Sequence, residues 1–276
     1  RKHFLNLPFS SVTIIYDLQH IDLPHLHNKE EIRTRDYHYQ NSIVNSSKVI
    51  TISNFCKKRI VDHYKINHKK VYALHLPILN DNISDISTSS DNLDLNDNNE
   101  YENFFFIPSN LWSHKNHKSL FIAINKLVVD GYKDICFVFS GMLVDRNIND
   151  ELTEFIKVNK LEKNIFFLGY INMNNLQNMY RKCRAVICPS LYEGYGMTVN
   201  EANFYKKPCL ASDIDAHREI ANKSSTIFFN PQNPNDIYEK IKYFLSNPRS
   251  DYIFSNFDNQ NKIFEKYIKV ILENPS

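Results

Sequence analysis

Alternation constrains this chain more than any other feature. Short runs of β-branched and aromatic residues recur along it, separated by helix-length amphipathic stretches. The runs are Val12–Tyr16, Lys48–Ile52, Val71–Leu76, Phe104–Ile107, Ile135–Ser140, Ile165–Leu168, Ala185–Cys188, Pro208–Ala211 and Thr226–Phe229. They read as continuous apolar strands covered on both faces, as in parallel sheets. Between them, apolar side chains fall at helical spacing, as in Leu120, Ile124, Leu127 and Val128, or Leu152, Phe155 and Ile156, or Ile237, Ile241, Phe244 and Leu245. Strands alternating with such helices predict an α/β fold with parallel sheets.

One segment breaks the rhythm. Residues 80–102 are acidic, hold no Lys or Arg, and are rich in Asn, Ser and Asp. Such a stretch buries too little apolar surface to order itself and reads as a linker. It divides the chain into residues 1–79 and residues 103–256, followed by residues 257–276. The first unit holds only three of the strand runs. That is thin for a parallel sheet, and the chain opens on Arg1 rather than Met. The expectation is therefore that the first unit's opening strands lie outside this sequence.

Composition narrows the function classes. Thirty-three basic residues against 31 acidic ones give a net charge of +2, which argues against a nucleic-acid binder recognised by charge. No apolar run approaches the ~20 residues of a membrane-spanning helix. The 5 cysteines are an odd number with no C-x-x-C pair, so a disulfide framework or zinc knuckle is not indicated and a reducing, cytoplasmic compartment is expected. Glycine is scarce, with 5 in the chain, so each position that keeps one is informative.

Two of those glycines stand in Leu191–Ala202, after the run Ala185–Cys188 and before a helix. A glycine turn at a strand end lets main-chain amides approach a ligand, and the helix that follows offers free N–H groups and its positive pole. That is an anion site suited to phosphate. Glu193 and Glu201 flank it. Two carboxylates facing phosphate would oppose it, whereas carboxylates beside it suit the hydroxyls of a sugar and a ribose. The plainer alternative, a capped loop followed by a solvated helix glutamate, carries equal weight on these residues alone. A second cluster, Asn110–Lys118, follows the run Phe104–Ile107. There Ser113 is the expected N-cap of a helix to about Val129, with His114, Lys115, His117 and Lys118 in its first turns. Cations at that end oppose the helix dipole, and an anionic ligand would offset the cost. A third cluster, Tyr16–His20, places Asp17 and His20 at a strand's carboxyl end, where open α/β sheets bind ligands. Alone, this cluster is as readily a turn-capping Asp and a loop His.

Together and in this order, the three clusters resemble glycosyltransferase family 4, the group 1 transferases of the GT-B fold, and in particular a mannosyltransferase-like subgroup. Glu193 to Glu201 matches the family's E-x7-E motif, and the DLQH, HKNH and Asp213–Ile220 stretches are similar to family segments. The resemblance implies two Rossmann-like parallel-sheet domains, the N-terminal one incomplete here, and a C-terminal helix within 257–276 that crosses back to the N-terminal domain. It also implies a retaining transfer of a hexose from a nucleotide-diphosphate sugar to a glycan or lipid-linked acceptor, without metal or other cofactor. Glu193, Lys115, His20 and Asp17 become the catalytic candidates. Asn110, His114, Lys115, Gly194, Tyr195, Gly196, Met197, Thr198 and Glu201 become the donor-binding candidates, with Glu201 on the ribose and the Gly196–Thr198 amides on the diphosphate. Two positions depart from the family: Asn110 stands where many members have arginine, and Tyr16 where many have histidine, so His114 and His20 are the substitutes. A nucleotide-sugar epimerase of the same fold, or a truncated nucleotide-binding remnant, fits the same motifs. The clusters Lys57–Arg59 and Arg181–Arg184 are candidates for peripheral contact with anionic lipid, although such clusters are more often solvated helix faces.

Overall fold

The computed structural model describes residues 11–78, 104–142, 146–247, 252, 254 and 260–272. The linker expected at 80–102 lies outside the described residues. All nine expected strand runs are strands, with ends shifted by up to three residues. The largest shift is at Val71–Ala73, which ends three residues before Leu76. They form two parallel sheets. β1 (Val12–Ile14), β2 (Lys48–Thr51) and β3 (Val71–Ala73) pair in the order β1-β2-β3. β4 (Phe104–Pro108), β5 (Cys136–Ser140), β6 (Ile165–Phe167), β7 (Ala185–Cys188), β8 (Cys209–Ser212) and β9 (Thr226–Phe229) pair in the order β6-β5-β4-β7-β8-β9.

The helices cover both faces of the larger sheet because its strands are apolar on both. Phe105 and Ile107 point into one core with α4 (His117–Val129), α5 (Arg146–Asn159) and α9 (Pro234–Ser246), where Phe105 stacks on Phe137 at 5.2 Å. Phe104 and Phe106 point the other way, to α6 (Met173–Lys182) and α7 (Met197–Phe204). α8 (Asp215–Ile220) follows β8. On the smaller sheet, α1 (Gln19–Asp22), α2 (Lys29–Asn45) and α3 (Asn54–Tyr64) bury Leu18, Ile43 and Ile60. The last helix, α10 (Gln260–Leu272), lies on this first sheet: Val270 packs with Ile50 and Leu74, and Tyr267 donates to the Leu74 carbonyl at 2.9 Å.

The helix after β4 differs from expectation. Ser113 is not its N-cap. Ser113–Lys115 form one tight 3-10 turn, closed by Lys115 N–H to Trp112 O at 2.9 Å, and α4 starts only at His117. Asn116 makes the junction in the left-handed region at φ 57°. Its side-chain amide donates to the carbonyls of Pro189 and Pro231 at 3.0 and 2.8 Å, so it ties the loops after β4, β7 and β9 together.

Strand order marks one end of the larger sheet. From β4 the chain runs outward through β5 and β6, then returns beside β4 as β7 and runs the other way. Open parallel sheets bind ligands at such a reversal, outside the carboxyl ends of the two central strands. The loops there are Ser109–Asn116 after β4 and Pro189–Gly196 after β7.

Candidate active site

At the reversal point, the two loops meet. Lys115 Nζ lies 2.5 Å from Glu193 Oε1, with both side chains about four-fifths buried. Ser190 Oγ donates to the same oxygen at 2.7 Å. Both hydrogen bonds use Oε1, and none from a described residue reaches Oε2. Burial alone would push the Glu193 carboxyl up, but the Lys115 charge and the two donors outweigh it and hold the group below its usual range. Glu193 is therefore an ionised carboxylate with one oxygen anchored and one left to accept. The Leu191 amide donates to the His114 carbonyl at 2.7 Å, which locks the two loops in this relation.

Gly196 opens α7 at φ 95°, a left-handed conformation that side chains resist. A Cβ there would also meet His217 Cδ2 at 2.8 Å. With no side-chain cap at Gly196, the Met197 and Thr198 amides donate to no described residue, and the Thr198 hydroxyl donates to the carbonyl of Pro108 at the end of β4 at 3.4 Å. The Lys115–Glu193 pair and the amino end of α7 thus lie on adjoining loops, and a helix positive pole whose first amides meet no described acceptor is suited to an anion. One helix turn further, Glu201 accepts a hydrogen bond from Tyr180 and lines a cavity of about 360 Å³ with Met173, Leu176, Met197 and Tyr205, closed by Leu76–Ile78 of the first half. Burial pushes the Glu201 carboxyl up.

The remaining candidates divide. Asn110 spends its side-chain oxygen on the Met142 amide at 2.7 Å, bracing the loop after β5. Gly141 permits that contact: a Cβ there would lie 2.5 Å from the Ser109 carbonyl. His114 is mostly buried, and burial together with the Lys115 charge pushes its pKa down to about 4, so its ring is neutral. Asp17 accepts from the Gln19 amide at 3.0 Å and stands at the seam of the two halves, its Cβ 3.2 Å from where a Gly194 Cβ would be. His20 stands apart: its ring is fully buried, meets Tyr39 edge-on at 5.3 Å, and lies among first-half residues. Tyr195 is buried and packs on His75 at 5.2 Å. In the two basic clusters, Arg59 pairs with Asp22 and Arg181 donates to Gln177. No group of three His, Cys, Asp or Glu side chains converges as metal ligands among the described residues.

Several contributors escape sequence reading. Ser190 and Tyr180 lie outside the motifs, while Asn116 and His217 lie within HKNH and Asp213–Ile220 but reach partners that those motifs do not contain, as Asn116 reaches Pro231 across 115 residues.

Residues 91–263 match the family model described as glycosyl transferases group 1. The chain belongs to this family. Among the relatives of this group 1 member is the O-antigen chain mannosyltransferase RfbU of Salmonella typhimurium, 25% identical over 240 residues. The match covers 82% of this chain and 61% of RfbU. O-antigen chain mannosyltransferase B of Escherichia coli is 20% identical over 242 residues, covering 87% of this chain and 62% of the relative. The chain therefore spans about three-fifths of the length of these two relatives. Among solved structures, Anabaena HepE in complex with UDP and glucose superposes with a TM-score of 0.74 at 15% identity, over 95% of this chain and 71% of HepE. A point mutant of Staphylococcus aureus TarM, solved with fondaparinux, alpha-GlcNAc-glycerol and UDP, superposes with a TM-score of 0.69 at 17% identity, over 96% of this chain and 51% of TarM. The fold is GT-B, two Rossmann-like parallel-sheet units facing one another. Among the described residues no helix is long and apolar enough to cross a membrane.

Proposed function

We propose that this glycosyltransferase moves a hexose from a nucleotide-diphosphate sugar to a glycan or lipid-linked acceptor, with retention at the sugar carbon and without a metal ion or other cofactor. The observation that carries the reading is Lys115 paired with an ionised Glu193 on the loop that leads into α7, whose Met197 and Thr198 amides meet no described acceptor. The mannosyltransferase names of RfbU and its Escherichia coli counterpart support a hexose, and the UDP in HepE and TarM supports a nucleotide donor.

The chemistry follows from charge. The sugar's C1 loses a diphosphate, positive charge grows on the ring, and negative charge grows on the departing β-phosphate. Lys115 and the α7 amides stabilise that oxygen, pre-oriented in a site that shields them from water. The Glu193 Oε2 accepts hydrogen bonds from donor-sugar hydroxyls, and Glu201 accepts from the ribose while the base enters the cavity beyond it. Asp17, at the seam, belongs to the acceptor side. His114, neutral and buried, packs the loop that carries Lys115. In this reading the protein works in the cytoplasm and meets any lipid-linked acceptor at the membrane surface. Replacing one preorganised donor to a developing oxyanion costs ~10²–10³ in turnover. Lys115→Ala is expected to lose that much at saturating donor, measured as sugar transferred per enzyme. Unchanged turnover refutes Lys115's role. A donor sugar altered with no acceptor present would favour an epimerase instead.

A further inference from the structure

Glu219 in α8 is outside the donor-site residues, yet its carboxylate makes four hydrogen-bond contacts with the first half. Its Oε1 accepts from the Asn54 backbone N–H at 2.7 Å and the Asn54 side-chain amide at 3.0 Å, with His75 Nε2 also 3.0 Å away. Its Oε2 accepts from the Phe55 N–H at 2.8 Å. These are the first amides of α3, so the carboxylate also meets the helix's positive pole.

The same turn grips the donor loop. Ser53, the N-cap of α3, donates its hydroxyl to the Gly194 carbonyl at 2.6 Å, and the Cys56 thiol lies 3.1 Å from that oxygen. On either side, Tyr192 OH accepts from the Leu18 amide at 3.1 Å, and Tyr195 packs on His75. Gly194 has no room for a side chain, since a Cβ would meet the Tyr16 carbonyl at 2.7 Å. Residues 192, 194 and 195 therefore face the first half, while Glu193 between them faces Lys115. Moving the α3 N-terminus relative to α8 must move this loop, and Glu193 with it.

We propose that Glu219 is a positioning residue for sugar transfer: by clamping the α3 N-terminus onto α8, it sets where the first half holds the 192–195 loop and hence where Glu193 stands. The proposal rests on the reading of Glu193 as a donor-sugar contact. Two variants test it. Glu219→Gln keeps the shape, but its amide nitrogen cannot accept from the α3 amides. Glu219→Ala removes the contact.

By hydrogen exchange, Glu219→Ala is expected to speed the Asn54 and Phe55 amides roughly tenfold or more, the loss of a bond to a charged group, and Glu219→Gln to speed whichever of the two its amide nitrogen faces. The peptide spanning 192–195 should speed up with them, while Leu120–Leu127 of α4 stays protected. Turnover should fall by about 10²-fold, the scale of a misplaced reacting geometry, with the Kd for UDP or GDP unchanged. Faster exchange at Asn54 and Phe55 with no change at 192–195 would make Glu219 a helix cap alone and overturn the proposal, as would unchanged turnover. A response at 192–195 in a chain whose unmodified form transfers no sugar would support the clamp and count against the transferase reading.

Discussion

Lys115 and Glu193 show how a residue's meaning depends on its partner. In isolation, Lys115 is a cation near a helix start, at odds with the dipole. Beside Glu193 it holds a buried carboxylate ionised, which neither residue would do alone. Histidines tell the reverse story. Burial, aided by nearby positive charge, keeps His20 and His117 neutral, with pKa values near 4 and near 3. An unfolded chain would protonate both near 6.5, so they stabilise the fold fully above that pH and progressively less as pH falls toward the folded values. The urea midpoint should therefore be lower at about pH 5 than at about pH 7.5, and His20→Gln should narrow the gap. Equal midpoints at the two pH values would show that these rings titrate freely. Both histidines stood in motifs that suggested chemistry. Their burial was invisible in the sequence because what covers them comes from elsewhere in the chain, as Tyr39 covers His20 and Phe139 covers His117.

At the scale of elements, the apolar runs were enough to locate nine strands, because a doubly covered parallel strand is apolar whatever its neighbours do. Helix starts were harder. Ser113 looked like a cap by residue type, yet the left-handed Asn116 took that place because its amide reaches Pro189 and Pro231, contacts no local rule supplies. α7 was more legible: glycine at its first boundary is required by both φ and the His217 ring. Gly196→Ala should cost about 1–3 kcal/mol of stability from the left-handed conformation, read by chemical denaturation. A cost near zero would mean that α7 starts differently. Glu201, one turn on, should control nucleoside affinity. Glu201→Ala is expected to weaken nucleoside diphosphate binding roughly tenfold to a hundredfold in calorimetry, with the sugar preference kept. No loss would remove Glu201 from the ribose.

At the scale of the molecule, two sheets meet through loops at the carboxyl ends of their strands, the end at which open parallel sheets take ligands beside a reversal such as that between β4 and β7. The order of the motifs along the chain was readable, but their mutual distances were not: Lys115 and Glu193 are separated by 78 positions, and Asn54 and Glu219 by 165. Sugar transfer by this route requires the amides of Met197 and Thr198 to bind the diphosphate. With both nitrogens labelled, titration of UDP, GDP, ADP and dTDP should shift their resonances along the saturation curve of at least one nucleotide, and Lys115→Ala should weaken that curve. Tight binding that leaves both amides unmoved, or no binding by any of the four, would contradict it.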